Sequence, residues 1–66
     1  NELLRMINNL PEGYKLVFNL HIIEGYSHEE IGIMLNIKDS TSRSQLVKAR
    51  RFLQNEILKL QKNIAV

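Results

Sequence analysis

Hydroxyl, amide and cationic side chains are concentrated between residues 39 and 51, in the segment DSTSRSQLVKARR. Small hydroxyls let a helix approach a duplex closely, Arg and amide groups can bond to base edges, and further cations can bind phosphates. On a helix with about 100° per residue, most of these side chains fall on one side. The candidate DNA-binding residues are Ser40, Thr41, Arg43, Ser44, Gln45, Lys48, Arg50 and Arg51.

Within this set, different side chains suit different contacts. Arg43 and Gln45 are the candidates for reading base identity, because Arg pairs bidentately with guanine and Gln with adenine. Lys48, Arg50 and Arg51 suit phosphates, and the hydroxyls can contact either bases or phosphates. An amphipathic helix whose basic face only contacts solvent would carry a similar charge. The upstream sequence is therefore needed to distinguish a DNA-binding helix from such a solvated helix.

Charge is distributed unevenly along the chain. Residues 1–39 hold three cations and six carboxylates, for a net charge of −3, whereas residues 40–66 hold six cations and one carboxylate, for a net charge of +5. Clustering of this kind is expected of a phosphate-binding surface.

The segment GYSHEEIGIMLNI, residues 25–37, predicts two sharp bends around one short helix. Gly25 suits the left-handed position that ends a helix, and Ser27 with Glu30 forms a capping box that opens the next one. Asn36 can end that helix in the left-handed conformation. Two bends that hold the following helix at a fixed angle indicate a helix-turn-helix.

Four helices and no strand are predicted, which makes the fold class all-α. The first helix covers residues 2–9 and is ended by Leu10-Pro11, since the residue before proline disfavours the helical region. The others are expected at about residues 11–24, about 28–35, and from Asp39 or Ser40 to about Gln61, with fraying from Asn63. Lys38 has no capping oxygen, so Asp39 is the alternative N-cap of the fourth helix.

Apolar positions indicate how these helices pack. The second helix has two apolar sides, one with Tyr14, Phe18 and Ile22 and the other with Leu16, Leu20 and Ile23, and both are expected to be covered. The fourth helix faces the core with Leu46, Ala49, Leu53, Ile57 and Leu60. Gly32, inside the third helix, predicts a close helix crossing. The helix-turn-helix is predicted to depend on Gly25, Ser27, Glu30, Ile31, Gly32, Leu35, Asn36, Ile37 and Leu46.

Composition narrows the function classes. The 66 residues suffice for one small domain, 1–66, and the chain opens at Asn1 rather than Met, which suggests a piece of a longer protein. The absence of Cys and of any long apolar run favours a cytoplasmic protein with no membrane insertion. His21 and His28 lie on different segments, so no metal or other cofactor is expected, and His28 is expected at the surface. A domain this small with no nucleophile beside a base is not expected to be an enzyme.

Residues 10 to about 57 resemble region 4, the C-terminal promoter-reading domain of extracytoplasmic-function (ECF) sigma factors. The matching landmarks are Leu10-Pro11, Val17-Phe18, the series Glu24 to Ile31, Leu35, Ile37, Thr41, Ser44, Leu46 and Ala49-Arg50. The resemblance implies that the fourth helix binds the −35 element of double-stranded promoter DNA. It also implies RNA polymerase core as a partner, and an anti-sigma factor as a further one.

Two other classes of protein are compatible with the sequence. The output domain of a LuxR-type response regulator also has four helices, although that family favours a different entry to its recognition helix. A helical protein-interaction module that never touches DNA is the other alternative, and the two-sided second helix is compatible with it. Duplex binding that weakens steeply with salt would separate a DNA-binding domain from such a module.

Overall fold

The computed structural model describes the backbone of residues 1–65 and the side chains of residues 1–62. This part of the chain folds as four α-helices and one π-helical turn, without strands. The elements are α1 (Glu2–Asn8), α2 (Glu12–Phe18), the π turn (Asn19–Ile23), α3 (His28–Leu35) and α4 (Asp39–Ala65). The predicted all-α class and the four helices are confirmed.

The turns around α3 have the predicted local structure. Gly25 has φ +82°, and Asn36 is left-handed with φ 56° and ψ 48°. The Ser27 hydroxyl accepts a hydrogen bond from the Glu30 N–H at 3.1 Å, and the Glu30 carboxylate accepts one from the Ser27 N–H at 3.0 Å. The capping box and both left-handed positions were therefore readable from these residues alone.

The start of α4 agrees with the prediction of Asp39 or Ser40, but its N-cap residue and its C-terminal end do not. Asp39 is the first helical residue, and the Lys38 carbonyl accepts the Ser42 N–H at 3.0 Å, so Lys38 occupies the N-cap position. The Asp39 carboxylate still helps, because it accepts the Ser40 N–H at 2.9 Å. At the other end α4 continues to Ala65, beyond the expected end at Gln61. The fraying expected from Asn63 concerns side chains outside the described residues.

The core lies where α4 crosses α2 and α3, and α1 packs against α4. Ile31 of α3 and Ala49 of α4 are fully buried, and Val17 of α2 is 1% exposed. Partly buried side chains, including Leu35 and Leu60, pack around this cluster. The buried hydrophobic residues are Met6, Ile7, Leu10, Val17, Phe18, Leu20, Ile31, Leu46, Ala49 and Leu53.

The predicted two-sided burial of the second helix is wrong. Phe18 and Leu20 are buried, but Leu16, Ile22 and Ile23 are 44%, 43% and 64% exposed. For Ile22 and Ile23 the physical reason is the π turn: the Glu24 N–H bonds to the Asn19 carbonyl five residues back, so the spacing of 100° per residue fails from residue 19 onwards. Leu16 precedes this turn, on a side of α2 that the described residues leave exposed. On α4, Ile57 was also expected in the core and is 40% exposed.

Gly32 permits a close approach, but the neighbour is not the one predicted. A methyl group built on Gly32 would lie 2.7 Å from the Ile37 carbonyl oxygen and 3.4 Å from the Asp39 nitrogen. The Ile37 N–H also donates to the Gly32 carbonyl at 2.9 Å. The contact is therefore with the backbone of the turn into α4 rather than with a crossing helix, and it holds that turn tightly against α3.

Candidate nucleic-acid interface

The first three turns of α4 present a polar, cationic surface to solvent. Ser40, Ser44, Lys48 and Arg51 are exposed on the side of α4 opposite the buried Leu46. This arrangement follows from the spacing of the apolar residues, because burial of Leu46, Ala49 and Leu53 turns the intervening polar positions outward. We call these four residues together with Arg43 and Arg50 the basic face of α4.

One flank of the basic face carries an ion pair. Arg43 Nη1 lies 3.1 Å from Asp39 Oδ2, one helical turn earlier, and both side chains are about half exposed. Arg50 lies seven residues after Arg43 and thus on the same flank. In the free domain the guanidinium of Arg43 is held by a carboxylate at the helix start, and an exposed pair of this kind costs little to exchange for another acceptor.

The other flank, with Thr41 and Gln45, is half-buried. Gln45 Oε1 is buried without a hydrogen-bond partner, and a methyl group built on Gly13 would lie 3.7 Å from it. Gln45 therefore packs beside the first turn of α2 in the free domain. Its predicted contact with a base would require the amide to leave this position. Arg43 is exposed and would not have to leave a buried position to contact a base.

Val47 was missed in the sequence analysis because it is neither polar nor part of the apolar stripe. It is 51% exposed and lies between Arg43, Ser44, Arg50 and Arg51 on the helix surface. An exposed aliphatic side chain surrounded by donors is suited to contact with the methyl group of thymine. The signal in the sequence was an apolar residue on the polar side of the helix wheel.

Ser42 and His28 form a second feature that was missed. Ser42 is the only buried polar residue among those described, at 0% exposure, and its Oγ lies 2.8 Å from His28 Nδ1. The expected surface position of His28 is wrong, because this hydrogen bond and a ring stack with His21 leave it half-buried. The spacing of Ser42 to Leu46 and Ala49, four and seven residues, placed it on the inward side of α4 and could have revealed it.

Electrostatics at the start of α3 follow from its capping box. The hydrogen bonds from the backbone and side chain of Ser27 lower the pKa of the Glu30 carboxyl below its usual range. Glu30 therefore stays ionised beside the positive end of the helix, where a carboxylate is favourable. The capping box thus fixes the residue at which α3 begins.

Other kinds of site are not supported by the described residues. No cluster of three or more His, Cys, Asp or Glu side chains in that part of the chain could hold a metal ion. None of its helices combines the length and the apolar character needed to cross a bilayer. Among the described residues, the basic face of α4 combines cations, hydroxyls and exposed positions, a chemistry that suits an anionic ligand with hydrogen-bonding groups.

Comparison with known proteins agrees with this geometry. The family model described as "Sigma-70, region 4" matches residues 1–53, which include α1 to α3 and the basic face of α4. This chain belongs to the sigma-70 region 4 family. The match favours the sigma-factor interpretation of the sequence over the response-regulator alternative.

Curated relatives are similar over the same part of the chain. The ECF RNA polymerase sigma-E factor of Haemophilus influenzae is 37% identical over 51 residues, covering 77% of this chain and 27% of that protein. The protein of the same name from Escherichia coli K12 is 32% identical over 53 residues, covering 80% of this chain and 28% of that protein. This region 4 chain thus spans little more than a quarter of the length of these relatives. No solved structure gives a significant match.

Proposed function

We propose that this region 4 domain binds the −35 promoter element through α4, as the C-terminal domain of an alternative sigma factor that directs transcription initiation by RNA polymerase. The observation that carries the proposal is the basic face of α4, which is exposed directly after the left-handed turn at Asn36. Family membership supports it, since the similar proteins are named as sigma factors of RNA polymerase.

The geometry suggests how the domain would engage a duplex. The major groove is about 12 Å wide and admits one α-helix, whose first turns reach deepest in a helix-turn-helix. Ser40, Arg43 and Ser44 lie in those turns and would contact base edges, with Arg43 exchanging Asp39 for guanine. Lys48 and Arg51 lie one to two turns later and would bind phosphates.

Exposed apolar side chains offer a surface for protein partners of the proposed sigma factor. Leu16, Ile22 and Ile23 project from α2 and the π turn, away from the core. Exposed apolar groups gathered on one part of a small domain are typical of interaction sites. We propose RNA polymerase core as one partner of the domain and an anti-sigma factor as another.

Salt-dependent binding to duplex DNA tests the proposal. Fluorescence anisotropy with a labelled duplex should show affinity that falls steeply as salt rises, because each bound phosphate releases counterions. Lys48→Ala and Arg51→Ala should each weaken binding to every duplex similarly and reduce the salt slope by about one unit.

Lys62→Ala is the matched control, since it removes the same charge from an exposed lysine of α4 about 21 Å beyond Lys48. Its salt slope should equal that of the wild-type protein. Equal losses of slope in all three variants would show a general charge effect rather than a docking face. No duplex binding at any salt concentration would favour the protein-interaction module instead.

A further inference from the structure

Two imidazoles and one hydroxyl connect the elements of the helix-turn-helix. The rings of His21 and His28 stack with centroids 4.2 Å apart and planes 17° from parallel. His28 Nδ1 lies 2.8 Å from Ser42 Oγ, and His21 Nδ1 lies 2.8 Å from the Tyr26 carbonyl oxygen. The contacts thus run from the π turn through the following loop and α3 to the first turns of α4. We call His21, His28 and Ser42 the histidine relay.

Ser42 places this relay directly behind the basic face. Its hydroxyl is fully buried, and a buried hydroxyl without a partner is costly, so the bond to His28 selects one position of α4. Ser42 lies between Thr41 and Arg43 in the chain, so a rotation of α4 that lengthened this bond would move both neighbours. The bond therefore couples the position of α3 to the direction in which Arg43 points.

We propose that His28 is a positioning residue for α4, acting through Ser42, and that protonation of His28 weakens DNA binding. This inference deepens the proposed function and rests on it. Protonation need not break the hydrogen bond, because a protonated Nδ1 can still donate to the Ser42 oxygen. The disturbance comes from charge, since a protonated His28 would be repelled by the cations Arg43 and Arg50 of α4.

The groups around His28 oppose its protonation. Burial, the neighbouring His21 ring and the cations Arg43 and Arg50 of α4 lower the pKa of His28 below its ordinary value of 6.5, while Asp39 alone raises it. The unfolded chain then takes up a proton at His28 more readily than the folded domain. The contribution of His28 to stability is therefore complete above about pH 6.5 and decreases as the pH falls below that value.

The sign of the pH effect on DNA binding distinguishes the histidine relay from histidines that lie beside phosphates. Histidines that merely lie near phosphates gain positive charge on acidification and strengthen DNA binding, because they add cations to the interface. The histidine relay predicts the opposite, since its protonation disturbs the helix that carries the basic face. A measurement of affinity against pH at constant salt distinguishes these two cases.

Four forms of the chain give the test: wild type, His28→Asn, Ser42→Ala and, as a control for charge, Lys62→Ala. The Asn side chain can place an oxygen or nitrogen near the position of Nδ1 without titrating. At pH 8, His28→Asn should bind duplex within about twofold of wild type, whereas Ser42→Ala should bind about fivefold more weakly, as expected for one lost hydrogen bond. Circular dichroism at each pH checks that each form remains helical.

Acidification from pH 8 to pH 5.5 then separates the outcomes. Wild type and Lys62→Ala should lose about threefold or more in affinity, as repulsion between a protonated His28 and the cations of α4 predicts, and His28→Asn should lose none. Wild-type binding that strengthens or stays constant would overturn the inference, as would an equal loss in His28→Asn. Ser42→Ala binding as tightly as wild type at pH 8 would also overturn it. Failure of wild type to bind any duplex at pH 8 would instead reject the proposed function, and the inference with it.

Discussion

Arg43 and Asp39 form an ion pair at the start of α4, with Nη1 and Oδ2 3.1 Å apart. The same carboxylate accepts the Ser40 N–H at 2.9 Å, so Asp39 binds both the helix terminus and the proposed base-reading residue. A carboxylate is favourable at a helix N-terminus but unfavourable beside a phosphate backbone. Asp39 therefore stabilises the free domain, and we expect it to oppose the proposed complex with DNA.

The substitution Asp39→Asn should strengthen DNA binding by about two- to fivefold, because it releases Arg43 and removes a charge that repels phosphates. It should also lower the free energy of unfolding by about 0.3–1 kcal/mol through the weaker interaction with the helix terminus. Anisotropy titrations and thermal melts measure the two effects. Glu56→Gln, about 25 Å further along α4, is the matched control and should leave affinity unchanged. Weaker binding by Asp39→Asn would show that the carboxylate holds Arg43 in its working position.

The left-handed conformation of Asn36 gives a prediction for stability. At φ 56° a Cβ is strained, and Asn tolerates this conformation better than Ala. Asn36→Ala should lower the free energy of unfolding by about 1 kcal/mol, which is a drop of about 4–8 °C in Tm for a domain of this size. Asn36→Gly should melt within a few degrees of wild type or higher. Identical melting of the Ala and Gly variants would contradict the left-handed assignment.

The space at Gly32 gives a second prediction for stability. Side-chain atoms there would meet the Ile37 carbonyl, which belongs to the backbone and cannot rotate away. Gly32→Leu should therefore be destabilised by about 1–3 kcal/mol, the usual cost of overpacking. Gly13→Leu is the matched control, because the nearest atoms at Gly13 belong to the flexible Gln45 side chain. Equal denaturation midpoints for the two leucine variants would show that the turn into α4 can move without cost.

Local signals in the sequence predicted the turns correctly. The capping box, the glycine after the π turn and the left-handed Asn36 depend on one to four neighbouring residues, so residue type alone determines them. The basic face was predictable for a related reason, since the apolar stripe of α4 keeps helical spacing through Leu46, Ala49 and Leu53.

Features that depend on contacts between helices were not predictable in this way. The π turn has no residue signature, so the helix wheel put Ile22 and Ile23 on buried faces and the structure exposes them. The stack of His21 on His28 joins residues seven apart across a bend, and the bond from His28 to Ser42 spans fourteen. The helix wheel placed Gln45 on the flank of the polar side of α4, yet its side chain packs beside Gly13 of α2.

We propose that α4 reads promoter sequence, with Arg43 and Gln45 as the predicted readers of base identity. Selection of preferred duplexes from a random pool tests it with wild type, Arg43→Ala, Gln45→Ala and the control Lys62→Ala. Each lost bidentate contact should remove about 1–3 kcal/mol of discrimination at one position of the selected sequence.

We predict that wild type and Lys62→Ala enrich the same sequence and that Arg43→Ala loses its preference at one or two positions. Gln45→Ala should lose preference at a different position if its amide leaves Gly13 on binding. An unchanged selected sequence in both variants would contradict base reading by these residues and leave Ser40, Thr41 and Ser44 as candidates. No enrichment of any sequence by the wild-type domain would contradict sequence-specific DNA binding by α4.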